Sequence, residues 1–240
     1  CVQYRETDYD FIARLLEEEG IHYFFEHAPG KHTMVMADAP SHNLPCPVQA
    51  SAEYDTSKRD PNQPDRVTSW QVEQLLQPAL YTETDFNFMD PSTGLLVSAP
   101  STRTAGAGES LEIFDFPGGY VNLGKESDPK LAKGEARIRL RAEQGDAQVL
   151  TAKATTDCKA FRPGYRFDLA KHYRESWNIP WLILEVQHEL SQAGIMSSGG
   201  PEPVSYSNRI VCQPHEVPFR PSRRTQKPRV DGPQTAIVSG

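Results

Sequence analysis

Residues 4–27 run YRETDYDFIARLLEEEGIHYFFEH, a stretch in which a helical period gives way to the period of a strand. Thr7 is a favourable helix N-cap and Asp10 follows three residues on, a capping-box-like TDYD in which side-chain oxygens answer amides that have no helical partner. Phe11, Ile12, Leu15 and Leu16 recur at helical spacing and form one apolar face. Gly20 can adopt the left-handed conformation that ends a helix. The period then changes to two: Ile21, Tyr23 and Phe25 alternate with His22, Phe24 and Glu26, and the turn APGK leads into HTMVMAD at 32–38. Residues 7–38 therefore predict a helix followed by a β-hairpin. One feature opposes the local rules. Glu17, Glu18 and Glu19 stand at the helix C-terminus, where the backbone dipole is negative and a cation is preferred by about 0.3–1 kcal/mol per charge.

Outward from this module the chain is rich in strand candidates. RVTSWQVEQLL (66–76), ALYTETDFNFM (79–89), GLLVSAP (94–100) and SLEIFDF (110–116) are separated by Pro, Asp and Gly. A second helix is predicted with Asp128 as cap and Pro129 at its first position, running to about Gly145. Leu131, Ile138 and Ala142 form its apolar seam, with Ala136 and Leu140 beside it. AQVLTAKATTD (147–157), YRFDLA (165–170), WLILEVQHEL (181–190) and YSNRIVCQ (206–213) read as further strands. The closing VPFRPSRRTQKPRVDGPQTAIVSG (217–240) is basic and Pro-rich, an extended connector that ends in the start of a new strand. The fold class is mainly β with a few helices, α+β in organisation.

The 240 residues suffice for one large or two small domains. Hydrophobic residues make up 38% and no apolar run approaches the length of a membrane span. The formal charge of −7 argues against a general nucleic-acid binder. The chain opens on Cys1 rather than Met and shows no signal peptide, so a fragment or processed product is expected. Cys1, Cys46, Cys158 and Cys212 are far apart and contain no CxxC pair. Two disulfides are allowed but not required, and reduced structural thiols in a cytoplasm-made protein are the favoured reading.

Motifs that could carry chemistry do not survive inspection. In GGYVNLGKES (118–127), Gly119, Gly124 and Lys125 fit GxxxxGK, but Glu126 stands where Ser or Thr should hold magnesium, and the helix starts too late to point at the loop. His22, His27, His32 and His42 cluster in sequence without HExxH or His-x-His spacing, and the HE pairs at His188 and His215 lack a second histidine. There is no GxSxG, and Asp8 and Asp10 serve a helix start better than acid–base work. Trp70, Trp177 and Trp181 are expected in the core. Lys130, Lys133, Arg137 and Arg141 lie near one stripe of the second helix, and Arg220, Arg223, Arg224, Lys227 and Arg229 crowd the connector. A solvated face, or pairing with acids of a neighbouring subunit, accounts for both better than nucleic acid does. No catalytic, cofactor-binding or metal-ligating residue is assigned, and no cofactor.

Longer stretches are recognisable. CVQYRETDYDFIARLLEEEGIHYFFEH followed by HTMVMAD resembles the VgrG spike proteins of type VI secretion, including the Rhs-associated members. LEIFDFPGGY (111–120), GEARIRLRAEQ (134–144), FRPGYRFDL (161–169), ILEVQHEL (183–190) and YSNRI (206–210) look like the same family in the same order. RPSRRTQKPRVDGPQTAIVSG (220–240) resembles the passage into that family's oligonucleotide/oligosaccharide-binding (OB)-type barrel. The chain starts at the C-x-QY-x-ET motif and stops at Gly240, before the barrel and the β-helical needle, so it corresponds to an internal segment.

The resemblance implies barrel-like phage tail-hub domains with a small helix–hairpin module: 1–47 the module, 48–127 a β-rich barrel-like portion, 128–218 a helix and a second such portion, and 219–240 the connector. It implies a structural, non-enzymatic hub: a homotrimer that adapts a hexameric tube protein to a membrane-puncturing needle. Its further partners would be baseplate components and an effector cargo or spike-tip protein, with no nucleic acid and with the target membrane met through the needle. Such a protein is made in the cytoplasm and secreted or injected on firing, to the outside or the target-cell periplasm. A baseplate hub of a contractile prophage tail is the alternative, and a hydrolytic effector segment a weaker one. On this reading the acidic end of the first helix either faces a neighbouring subunit's Arg or Lys or is plainly solvated, and the connector's cations meet acids of adjacent subunits.

Overall fold

The computed structural model describes residues 2–57, 63–103, 110–121, 130–191, 205–233 and 235. Its first unit is α1 (Asp8–Glu18) and the hairpin β1 (His22–Ala28) and β2 (Lys31–Ala37). Thr7 caps α1, its hydroxyl oxygen accepting from the Asp10 amide at 3.1 Å. Gly20, at φ 67°, ends it: its amide donates to Glu17 O at 3.4 Å and the Ile21 amide to Leu16 O at 2.9 Å, so two orphan carbonyls are satisfied by the left-handed turn. In the hairpin the face carrying His22, Phe24 and Glu26 packs inward, while Phe25, Met34 and Met36 are exposed. Phe24 lies against Tyr165 and over Gly164, where any Cβ would overlap its ring.

The main body is a six-stranded sheet in the order β3 (Ser51–Glu53), β9 (Arg166–Ala170), β10 (Pro180–Ser191), β11 (Ser205–Pro214), β8 (Leu150–Thr156) and β4 (Val67–Gln74). It curls so that its two edges approach at one corner. There Tyr54 bridges Val67 in parallel and the Asp55 amide donates to Val67 O at 3.0 Å. Alternation selects the inner face: Ala152 and Ala154 of β8, Phe167 of β9, Ile183 of β10 and Ile210 of β11 are buried. Small and large residues are matched across strands, Ala154 lying in register with Trp70, whose ring meets Trp181 at 4.8 Å. Trp70 and Trp181 are thus core, as expected, with Trp177 packed against them.

Between β4 and β8 the chain makes an excursion of its own: β5 (Leu80–Glu83), β6 (Val97–Pro100) and β7 (Glu112–Asp115) form a sheet in the order β6-β5-β7, and α2 (Lys130–Val149) lies on it. Strands from 48–127 and from 128–218 therefore share the six-stranded sheet. The helix does not stop at Gly145 as its sequence suggests. Gly145 is the point where the sheet comes closest, and a Cβ there would overlap the Tyr81 hydroxyl; Gly134 similarly admits Tyr120 and Val97. Ile138 and Ala142 form the buried seam, but Leu131 is 44% exposed and does not belong to it. Asp128 and Pro129 lie outside the described residues. The fold is mainly β, with two α-helices among the described residues.

Candidate functional site: a charged clasp around the first helix

Two of the three glutamates that opposed the helix dipole, Glu17 and Glu18, sit in a dense polar site. Glu17 accepts three bonds from the connector: the Arg224 and Thr225 amides reach its Oε2 at 3.0 Å each, and the Thr225 hydroxyl reaches its Oε1 at 3.0 Å. Glu18 pairs with Lys227 and, at 3.6 Å, with Arg137 of α2. Burial alone would push the Glu18 carboxyl up; the Lys227 ammonium, then Arg137 and Arg223, outweigh it and hold the group below its ordinary range. Glu19 is exposed. The expectation that these acids face another subunit or only water is thus corrected for Glu17 and Glu18. Their partners come from the same chain: Arg137 from α2, and the Lys227 ammonium and the Arg224 and Thr225 amides from the connector.

The connector is correspondingly not a free tether. Arg220 donates to Glu143 of α2 at 2.6 Å, to the Gly20 carbonyl at the end of α1 at 3.0 Å, and to the Asp38 carbonyl after β2 at 2.6 Å. Gln144 of α2 donates to Pro221 O at 2.8 Å. Phe219 meets the buried His22 ring edge-on at 5.2 Å. The connector's basic residues were expected to meet acids of adjacent subunits; Arg220 and Lys227 instead meet Glu143 and Glu18 of their own chain. Arg224 and Arg229 have no ion pair among the described residues.

The basic stripe of α2 is also used internally. Arg137 donates to the Gly118 and Gly119 carbonyls at 3.0 and 2.5 Å, and Arg141 to Glu83 and Asp115 at 2.7 Å each. These guanidinium groups tie α2 to the three-stranded sheet and to α1, which a rigid planar fork does better than an ammonium. Lys133 is exposed, and the Lys130 side chain lies outside the described residues. Arg223 closes a cavity of about 230 Å³ beside Glu83, Arg141 and Gln144, and burial is the main cause that lowers its pKa. Glu83, Asp115 and Glu143 were not singled out in the sequence. Their only signal there was the excess of arginine on α2, which needs acids somewhere.

The remaining sequence candidates are dispersed. His27 and His32 form an exposed cross-strand pair, Nδ1 to Nδ1 at 2.7 Å. His42 sits 3.3 Å from Asp38. His22 is buried, contacts Asn43 at 3.3 Å, and is pushed down to about 4 by burial and then by Arg220. Among the described residues no group of three or more His, Cys, Asp or Glu gathers as for a metal ion. Gly119 presents its carbonyl to an arginine, and Gly124, Lys125 and Glu126 lie outside the described residues. Cys46, Cys158 and Cys212 are separate buried thiols. Burial raises the pKa of each, to about 12 at Cys158, so the nucleophilic thiolate is suppressed. A clasp whose carboxylates are held by arginine, lysine and amides is built to join elements. A general acid needs a raised pKa, and Glu18 has the reverse.

The profile of the phage tail baseplate hub (GPD) family matches residues 1–194. The chain belongs to this family. Type VI secretion system spike protein VgrG1b of Pseudomonas aeruginosa is 29% identical over the whole hub chain, which covers 31% of that protein. The spike protein VgrG3 of Vibrio cholerae is 32% identical, with 23% of it covered. The hub chain thus spans about a third or less of the curated relatives it matches. Among solved structures, an E. coli type VI secretion component is similar with a TM-score of 0.52 and 15% identity, covering 94% of this chain and 42% of that one. A tail protein from Neisseria meningitidis gives a TM-score of 0.57 at 12% identity, covering 91% and 58%. At these identities the likeness is one of fold.

Proposed function

We propose that this chain is the hub segment of a type VI secretion tail spike: a structural, non-enzymatic homotrimer that adapts a hexameric tube to a membrane-puncturing needle. The match of residues 1–194 to the baseplate hub family is the observation that carries this reading. Relatives named as spike proteins along the whole chain support the secretion context. One relative, named an actin cross-linking toxin in Vibrio cholerae, is 30% identical, but this chain covers only 21% of it, and that activity stays with that protein. The clasp supports a mechanical role. Fastening the connector to both helices fixes the direction in which the chain leaves the hub, so force on one part is carried to the other through partly shielded charge pairs.

Baseplate components, and an effector cargo or spike-tip protein, complete the proposed partners. The protein is made in the cytoplasm and leaves the cell when the tail fires. Among the described residues no helix is long and apolar enough to cross a membrane. The division into module, two β-rich portions and connector is kept as a proposal, with the excursion between β4 and β8 as the packing unit that α2 completes. The second reading is a prophage baseplate hub, which the match to the phage tail baseplate hub family supports equally. Co-purification of the intact protein with the tube protein of a type VI locus tests the proposal. Stable capture on the tube end is expected, and binding only to a phage tail tube would transfer the chain to the second reading.

A further inference from the structure

The three-stranded sheet carries α2 on one face, and its edge strand β7 is exposed along its whole length. Tyr81 and Glu83 of β5, and Val97 and Ala99 of β6, are buried, with Tyr81 and Val97 against α2 and Glu83 bonded to Arg141. Side chains alternate along a strand, so Leu80, Leu96, Phe114 and next in the alternation Phe116 lie on the opposite face. Register agrees: Leu80 and Thr82 pair with Glu112 and Phe114 of β7, and the Thr82 hydroxyl donates to Glu112 on that face. Phe114 is 60% exposed, Leu96 60% and Phe116 57%.

The loop that follows β5 is also apolar at its surface, and its burial is inverted. Asn87 is buried, while Phe86, Phe88 and Met89 around it are 57%, 63% and 69% exposed. The loop is held in this arrangement. Asp85 accepts from the Tyr120 and Val121 amides at 2.9 Å each, and Asn87 from the Met89 amide at 3.1 Å. A loop that buries its amide and displays its phenylalanines is shaped for a partner.

We infer that this outer face, with the free edge of β7, is a subunit contact seated against a second copy of this chain. The inference rests on the homotrimer reading above and deepens it by naming the surface. Four phenylalanines about 60% exposed offer on the order of 500 Å² at 150–250 Å² per aromatic side chain. That is the size of the largest apolar patch on an ordinary monomer, and patches of this size are often functional. It is a large part of the ~800 Å² each partner gives to a stable interface. On this face the Glu112 carboxylate of β7 is already bonded to Thr82 and the Asp85 carboxylate of the loop to two amides; permanent contacts between like subunits are more apolar than transient ones. Among the described residues β7 pairs with β5 alone, and an unpaired apolar edge is a hazard unless a neighbour covers it.

The test uses the intact protein. Phe114→Glu places a charge at the centre of the face, and Met36→Glu does the same on the exposed hairpin. Light scattering after gel filtration is expected to show the wild type and M36E at the same multiple of the chain mass. F114E should run as a single chain at micromolar concentration, with unchanged circular dichroism and association weakened more than ~30-fold. Hydrogen exchange of residues 111–116 in the wild type, measured above and below the dissociation range, reads the same contact without a substitution. Protection that appears only in the oligomer is expected, and it decides the matter should F114E fail to fold. An oligomeric F114E with unprotected 111–116 overturns this inference and leaves the homotrimer standing. A monomeric wild type overturns both. Loss of tube-protein capture by an oligomeric F114E would assign the face to that partner instead.

Discussion

Replacing Arg220 by methionine keeps the aliphatic stem and removes the guanidinium that joins three elements. In the structure that group makes a 2.6 Å pair with Glu143 and donates to the Gly20 and Asp38 carbonyls. Its side chain is 13% exposed and that of Glu143 34%, so the pair is partly shielded from water. A hydrogen bond involving a charged group contributes about 1.5–3 kcal/mol net, and breaking a buried pair from one side costs about 3–5 kcal/mol. The three bonds share one group and do not add, and Glu143 can rehydrate. The expected loss is therefore about 3 kcal/mol at the lower end of that range, or roughly 6–12 °C in melting temperature for a chain of this size. Urea unfolding followed by tryptophan fluorescence measures it, since Trp70 and Trp181 lie in the core. Arg224→Ala is the matched control: only its backbone amide enters the clasp, so a change within about 0.5 kcal/mol is expected. A loss below ~1 kcal/mol for R220M, or one equal to that of R224A, would refute the view that the connector is fastened through Arg220.

Three further outcomes are expected. His22 is neutral when folded, with its pKa depressed to about 4 from about 6.5 unfolded; the unfolded chain binds the proton first, so stability falls between pH 6.5 and 4, by up to roughly 3 kcal/mol. His22→Gln should flatten that limb of the curve, and an unchanged pH dependence would show that His22 does not drive it. Gly145→Ala should destabilise although alanine favours a helix by about 1 kcal/mol, because the new Cβ meets the Tyr81 hydroxyl; Tyr81→Phe should restore part of the loss, and a stabilised G145A would contradict the close packing. Cys46, Cys158 and Cys212 should react with a disulfide reagent only on unfolding, so rapid labelling of the native protein would show that these sites open.

The first module was legible because each of its signals is local. Thr7, Asp10 and Gly20 act within four residues, and the change of period from helix to strand follows at once. Gly145 misled for a physical reason. A glycine that ends a helix and one that admits a neighbouring tyrosine look alike until the neighbour is placed. Strand existence was readable from alternation, but the order of the six-stranded sheet was not, since β3 pairs with β9 more than a hundred residues away. The clasp lay furthest from reach. Glu17, Glu18 and the connector were each noticed as anomalies, too acidic and too basic for their settings. Nothing in a linear reading distinguishes a partner 200 residues along the same chain from one in another subunit, because the Coulomb attraction is the same.

Averaged electron microscopy of the assembled intact protein tests whether this chain forms the three-fold hub of a spike. Three copies around one axis are expected, the outer face of each three-stranded sheet seated against a neighbouring copy and the connectors leaving on the needle side. A folded protein that remains a single chain at the concentrations imaged, or that assembles about a two-fold axis, would contradict it.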